Sequence, residues 1–462
     1  MKTRYLFFSL TLVTSMLVAV PARAQEAPPA GGEPRDFVVP SGTSFQLSNG
    51  LRATLTPYGV LPKVSVLASI RVGNINESDD EVWLADLTGS LMQEGTAEKD
   101  AKAVAREAAD MGGSLNIGTG LDQSTVGGNV LSEFGPDLVR LIAEVVRNPA
   151  FPDSELPRLK RDMVRNISIS QSQPGTKALV KFREVLHGDH PYGRIFPDPE
   201  MVEGFTTEAV RAFYEANYGA ARTHIYVAGM FDVGDMEQAI RESFGDWTEG
   251  QQPLIDIPTT STQRAVHIVD VPGAVQSNVY IGLPVIDPSH EDFIALTVTN
   301  SLLGGSFASR ITSNIREDKG YTYSPFSTLS GRYRDAYWAE VAAITTEVTG
   351  AALREIFLEI DRLQAEPPSA EELEGIQNYL AGTFVLQNSS PGGIIGQLIH
   401  LDLHGLPDDY LNTYVQKVYA VTPAEVQRVA SEYLRDEDMV IVIAGDRAAI
   451  EAQVAGLGRL AP

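Results

Sequence analysis

His400 and His404 stand four residues apart, a spacing that puts two imidazoles on one helix face within reach of one metal ion. No Glu stands between them as a base, and the next acids, Asp408 and Asp409, follow a Gly and a Pro. They read as a helix-face pair without a metal. His187 and His190 precede Pro191 in a segment expected to be a loop and read as structural. Serines near Asp or His lack the spacing of a nucleophile elbow, so a serine hydrolase is not supported. With no cysteine in 462 residues there is no thiolate nucleophile, no cysteine zinc ribbon and no disulfide framework. A net charge of -24 argues against a broad nucleic-acid or anionic-membrane surface, because both need clustered Lys and Arg.

The first residues read as a targeting segment. Lys2 and Arg4 precede an apolar stretch from Tyr5 to Val20, and Pro21-Ala22-Arg23-Ala24 places small residues where a signal peptidase reads. Residues 1–24 are therefore expected to be a signal peptide cleaved after Ala24, and 25–40, rich in Pro, Gly and Ala, an unstructured leader. The expected product is exported, periplasmic and not inserted in a membrane.

The elements that follow are written twice. Phe205-Thr206-Thr207-Glu208-Ala209-Val210 is echoed by Val421-Thr422-Pro423-Ala424-Glu425-Val426, each with a Thr suited to cap a helix. Each helix leads to an apolar strand, Ile225 to Gly229 and Ile441 to Gly445, then to a second helix, Val233 to Phe244 and Ala448 to Leu457. Val64, Val66, Ala68, Ile70 and Val72 alternate with more polar residues, as do Val279, Ile281 and Leu283, giving the period of a half-buried strand. Leu84, Leu87 and Leu91 share a helix face, and Leu296, Asn300 and Leu303 do so less cleanly. The halves are expected at 41–250 and 264–462, joined by a polar, Pro-containing linker at 251–263. Strands and helices in mixed order, without a phosphate-binding Gly loop, favour an α+β fold over a doubly wound sheet.

Several segments carry a family resemblance: Leu84 to Thr96, Gly113-Ser114-Leu115-Asn116, His190-Pro191-Tyr192-Gly193-Arg194, and Leu303-Gly304-Gly305-Ser306-Phe307-Ala308-Ser309-Arg310 running to Ile315-Arg316-Glu317-Asp318-Lys319-Gly320-Tyr321-Thr322-Tyr323-Ser324. From about Phe45 to Leu457 the chain resembles peptidase family M16, the pitrilysin and mitochondrial-processing-peptidase group. The resemblance implies two homologous domains, each an antiparallel-rich sheet packed with helices.

Active members carry H-x-x-E-H, two zinc-binding imidazoles with a Glu that activates water. Aligned through Gly95-Thr96, those positions here are Asp86, Gly89 and Ser90, and the family's third ligand, a Glu, falls near Asn166. All four are degenerate, so no metal is expected on this chain. The family's Arg and Tyr, seven residues apart, match Arg316 and Tyr323, which suit donation to a scissile carbonyl oxygen as it becomes anionic. On composition alone, Arg316 also reads as an ion-pair residue beside Glu317 and Asp318, and Tyr323 as a strand residue. Asn116 resembles a position on the edge strand that receives extended substrate, and equally a turn Asn after Gly112-Gly113. Gly304 and Gly305, and Gly392 and Gly393, read as hinges or as turns. The resemblance thus implies the non-catalytic, substrate-binding subunit of a heterodimeric metallopeptidase, with peptide as substrate and zinc in the partner subunit. The alternatives are a peptide-binding scaffold that keeps only the fold, and an enzyme with a new site.

Overall fold

The computed structural model describes residues 38–40 and 42–461. The expected signal peptide and most of the leader lie outside them. Among the described residues, no helix is long and apolar enough to cross a membrane.

The alternating apolar residues form two six-stranded sheets. The first contains β1 (Thr43–Gln46), β2 (Arg52–Pro57), β3 (Lys63–Ile70), β4 (Ser114–Thr119), β5 (Ser124–Leu131) and β6 (Thr223–Gly229), in the order β1-β2-β6-β3-β5-β4. The second contains β7 (Ala265–Asp270), β8 (Gln276–Val285), β9 (Phe326–Arg332), β10 (Asp335–Thr345), β11 (Val440–Gly445) and β12 (Arg459–Leu460), in the order β12-β7-β11-β8-β10-β9. From β2 and β7 onward the orders correspond strand for strand. β6 pairs parallel with β2 and antiparallel with β3, as β11 does with β7 and β8. These two repeated strands are buried along their whole length, which explains their unbroken apolar sequences.

Local chemistry starts the repeated helices as expected. The Thr206 hydroxyl accepts from the Ala209 N–H, and Thr422 forms a reciprocal capping box with Glu425. Val233–Phe244 is a helix as read from sequence. The expected helix from Ala448 to Leu457 is not: only Arg447–Ile450 is helical, and turns follow. Docking overrides propensity here. The Gln453 carbonyl accepts from Arg354, its side chain bridges the Gly350 N–H and the Thr346 carbonyl, and a Cβ on Gly350 would lie 2.3 Å from the Gln453 carbonyl oxygen.

Each half lends a helix to the other half's sheet. Pro174–His187, from the first half, lies on β8 and β11, packing Ala178, Phe182 and Leu186 against Ala339, Val440, Val442 and Ala444. Gly282 permits the approach, since a Cβ there would stand 2.7 Å from the Phe182 ring. In return Pro391–His404 lies on β3 and β6, packing Ile394 and Ile395 against Tyr226 and Ala228. Both helices begin Pro-Gly, a further trace of the repeat. Polar latches reinforce the exchange: His187 Nε2 lies 3.0 Å from Asp335 Oδ2, and Arg52 donates twice to Asp402 at 2.6 and 2.8 Å. His187 is therefore the last residue of a helix ended by Gly188, not part of the loop before Pro191.

Candidate functional site

The helix Leu84–Met92 buries Leu84, Leu87 and Leu91 in the first core and packs against β4 and the helix Leu156–Ser172. Asp86 and Thr88 are already engaged, Thr88 through its hydroxyl to the Leu84 carbonyl. Asn74 Nδ2 donates to Asp86 Oδ2 at 2.7 Å and to Glu77 Oε1 at 3.1 Å, and the same Glu77 oxygen accepts the Ala85 N–H at 2.8 Å. Glu77 thereby satisfies one of the free amides at the helix start. Burial pushes its carboxyl up to about 7, opposed by these hydrogen bonds and assisted by the neighbouring Asp86. Burial likewise raises the Asp86 carboxyl. Gly89 faces β4, where a Cβ would meet the Thr119 hydroxyl at 2.5 Å. Asn166 lies on an exposed face of the Leu156–Ser172 helix.

These residues do not fit zinc. The four positions offer a carboxyl turned toward Asn74, no side chain, a hydroxyl and an amide, where zinc takes imidazole, thiolate or carboxylate. Gly89 has no base, and a side chain growing from it would enter the space of Thr119. The lattice of Asn74, Glu77 and Asp86 was not legible in the sequence, because Asn74 and Glu77 lie upstream of the helix.

Arg316 and Tyr323 are brought together in the second half. Ser309 caps the short helix Arg310–Thr312, which runs into a π-helical turn, Ser313–Asp318. Widened turns of this kind recur at functional sites. The chain is pinned ahead of Arg316: Arg310 forks onto Glu372 at 2.7 and 2.8 Å, Asn314 donates to Glu359 at 2.6 Å, and Ile315 is fully buried. Beyond it the Tyr321 N–H returns to the Ile315 carbonyl and the Thr322 hydroxyl to Ala343, fixing the chain before Tyr323. Tyr323 lies in the loop ahead of β9 with 79% of its surface exposed.

The Arg316 guanidinium carbon lies 5.0 Å from the centre of the Tyr323 ring and 4.4 Å from that of Phe307, which is itself 68% exposed. Its Nε stands 3.1 Å from Glu317 Oε1, as the composition-based pairing anticipates. Among the described residues neither terminal nitrogen of Arg316 makes a hydrogen bond. An Arg held by aromatic faces keeps its planar donors available to a ligand. Phe307 was missed as a site residue: its place in a Gly-Ser loop, nine residues before Arg316, gives no spacing signal.

Asn116 lies in β4, an edge strand paired only with β5, in register with Gly127, and its side chain is exposed. β9 is the corresponding edge of the second sheet. The His400 and His404 rings lie 4.6 Å apart on one helix; burial lowers both imidazoles, His404 to about 4. Among the described residues no three His, Asp or Glu side chains converge as a metal-holding group. His190 Nδ1 accepts the Tyr192 N–H at 3.1 Å. Gly304 belongs to a π-helical turn over the fully buried Glu340, whose carboxyl oxygens lack hydrogen-bond partners and whose pKa burial raises strongly. A Cβ at 304 would meet Glu340 Oε2 at 2.6 Å. Gly392 and Gly393 open the helix Pro391–His404.

Comparison with known proteins converges on one group. The insulinase family, peptidase family M16, matches residues 59–189, and the peptidase M16 inactive domain matches 204–380. An uncharacterized zinc protease of Mycobacterium tuberculosis is 26% identical over 381 residues, covering 81% of this chain and 83% of its own. The crystal structure of a peptidase M16 inactive domain from Pseudomonas fluorescens superposes with a TM-score of 0.82 at 24% identity, covering 88% of this chain and 98% of that one. The periplasmic protease PqqL of Escherichia coli superposes with a TM-score of 0.76 at 16% identity, over 92% of this chain and 47% of PqqL.

Proposed function

This chain belongs to peptidase family M16, and from that premise we propose that it is the non-catalytic, substrate-binding subunit of a heterodimeric zinc metallopeptidase. The observation that carries the reading is the contrast between its two halves. The zinc-motif helix has lost every ligand and its base, whereas the turn that carries Arg316 is pinned and the terminal donors of Arg316 are unpaired beside the exposed Tyr323.

In this reading the metal and its activated water belong to a second, zinc-bearing M16 chain. This chain presents the Arg316 guanidinium and the Tyr323 hydroxyl to the scissile carbonyl. Both are donors, and neither gives up a proton: each hydrogen bond strengthens as negative charge gathers on the carbonyl oxygen. The exposed edge of β4, with Asn116, receives extended peptide by adding it as a further strand. We place the protein in the periplasm, supported by the signal-like residues 1–24 and by its likeness to the periplasmic PqqL.

The test is co-expression with a zinc-bearing M16 chain, assayed on an internally quenched peptide. Hydrolysis is expected only when both chains are present. Arg316→Ala should lower kcat by about 10²–10³-fold, and Tyr323→Phe by a similar order, as for loss of an oxyanion donor. Full activity in both variants would refute the role. If no partner restores hydrolysis and peptide still binds, the protein is a peptide-binding scaffold instead.

A further inference from the structure

The proposed role of Arg316 requires a flat cation kept in one orientation with its outer donors free, and the observed restraints do not include a hydrogen-bond clamp. Only the 3.1 Å approach of Glu317 touches Nε, and it leaves rotation about the side chain open. Two aromatic rings lie against the guanidinium instead, with the centre of Phe307 at 4.4 Å and that of Tyr323 at 5.0 Å from its carbon. Stacking against aromatic rings restrains a guanidinium without using up its terminal N–H donors.

Phe307 is the unexplained member. A phenyl ring 68% exposed contributes little to the core, and it stands two residues beyond a π-helical turn, Ser301–Gly305. Ser309, two residues on, caps the short helix that leads to Arg316, so Phe307 and Arg316 are held to one another by a single anchored segment.

We infer that Phe307 is a positioning residue: with Tyr323 it forms an aromatic clamp that holds the Arg316 guanidinium and fixes the direction of its free donors. The inference rests on the carbonyl-donor reading of Arg316 for its purpose, while the clamp itself is testable without activity.

The experiment has two arms. In the full-length chain, the Arg316 Nε–H resonance, assigned by its loss in Arg316→Lys, should be displaced by the ring currents. Phe307→Leu keeps apolar bulk and removes the π face; it should return that resonance toward the free-arginine position and speed its exchange with water. Phe307→Trp and Phe307→Tyr should preserve it. An unchanged resonance in Phe307→Leu overturns the clamp.

In the two-chain enzyme on the same quenched peptide, Phe307→Leu should lower kcat about tenfold with KM unchanged, and Phe307→Trp should restore it to within about twofold. If Arg316→Ala is impaired but Phe307→Leu matches the native enzyme, the positioning role falls and the donor role stands. If Arg316→Ala is fully active, the donor role falls, and the resonance alone decides whether the clamp exists.

Discussion

Glu77 and Asp86 share the single amide of Asn74 where the family holds its metal, and this replacement has a measurable pH signature. Glu77 moves from 4.5 to about 7 on folding, chiefly through burial. The folded chain therefore holds the proton more tightly than the unfolded one. Its stabilising contribution is complete below pH 4.5 and is lost as pH rises through about 7, by up to about 3 kcal/mol. His404 acts in the opposite sense: its imidazole falls from 6.5 to about 4, so its contribution is complete above pH 6.5 and is lost as pH falls through about 4. Urea unfolding from pH 4 to 8 should show both limbs. Glu77→Gln should flatten the loss on the alkaline side, and an unaltered slope would show that Glu77 does not titrate in that window. Such couplings escape sequence reading because the sequence records residue types, whereas a pKa depends on what the fold brings alongside. Asp86, Gly89, Ser90, Arg316 and Tyr323 were legible because a motif with fixed spacing marks them. Asn74, Glu77 and Phe307 have no such spacing.

The repeated strands β6 and β11 were readable as apolar runs two hundred and sixteen positions apart, and their flanking helices by their Thr caps. The destination of the helix Pro174–His187 was not readable. Its stripe of Ala178, Phe182 and Leu186 has the same helical period whichever sheet it covers, and only the assembled fold shows it on the opposite half. The exchange predicts a cost that crosses the linker. Phe182→Ala should destabilise the chain by about 3–5 kcal/mol, the usual penalty for emptying a buried phenyl site. Trp247 reports the first core and Trp338 the second, and in urea their fluorescence transitions should coincide in both native and variant proteins, as coupled halves require. Separate midpoints for single-tryptophan versions of the chain would show that the lent helices do not bind the halves into one cooperative unit.

At the scale of the molecule, the same scaffold occurs twice, and among the described residues neither copy gathers a metal-holding group of His, Asp and Glu. The purified full-length chain should carry well under one zinc per molecule by metal analysis, and a chelator should leave its melting temperature unchanged, because the zinc-motif helix is capped by Glu77 and tied by Asn74 rather than by metal. Stoichiometric zinc, or a chelator-induced fall in melting temperature, would contradict that donor assignment. The reciprocal helices also impose an order on biosynthesis. A ribosome releases the first sheet long before the helix that must cover it: Tyr226 and Ala228 wait for Ile394 and Ile395, near the far end of the message. The nascent first half therefore carries an apolar sheet face without its native cover while more than a third of the chain is made, which predicts reliance on holding chaperones until the last quarter has emerged.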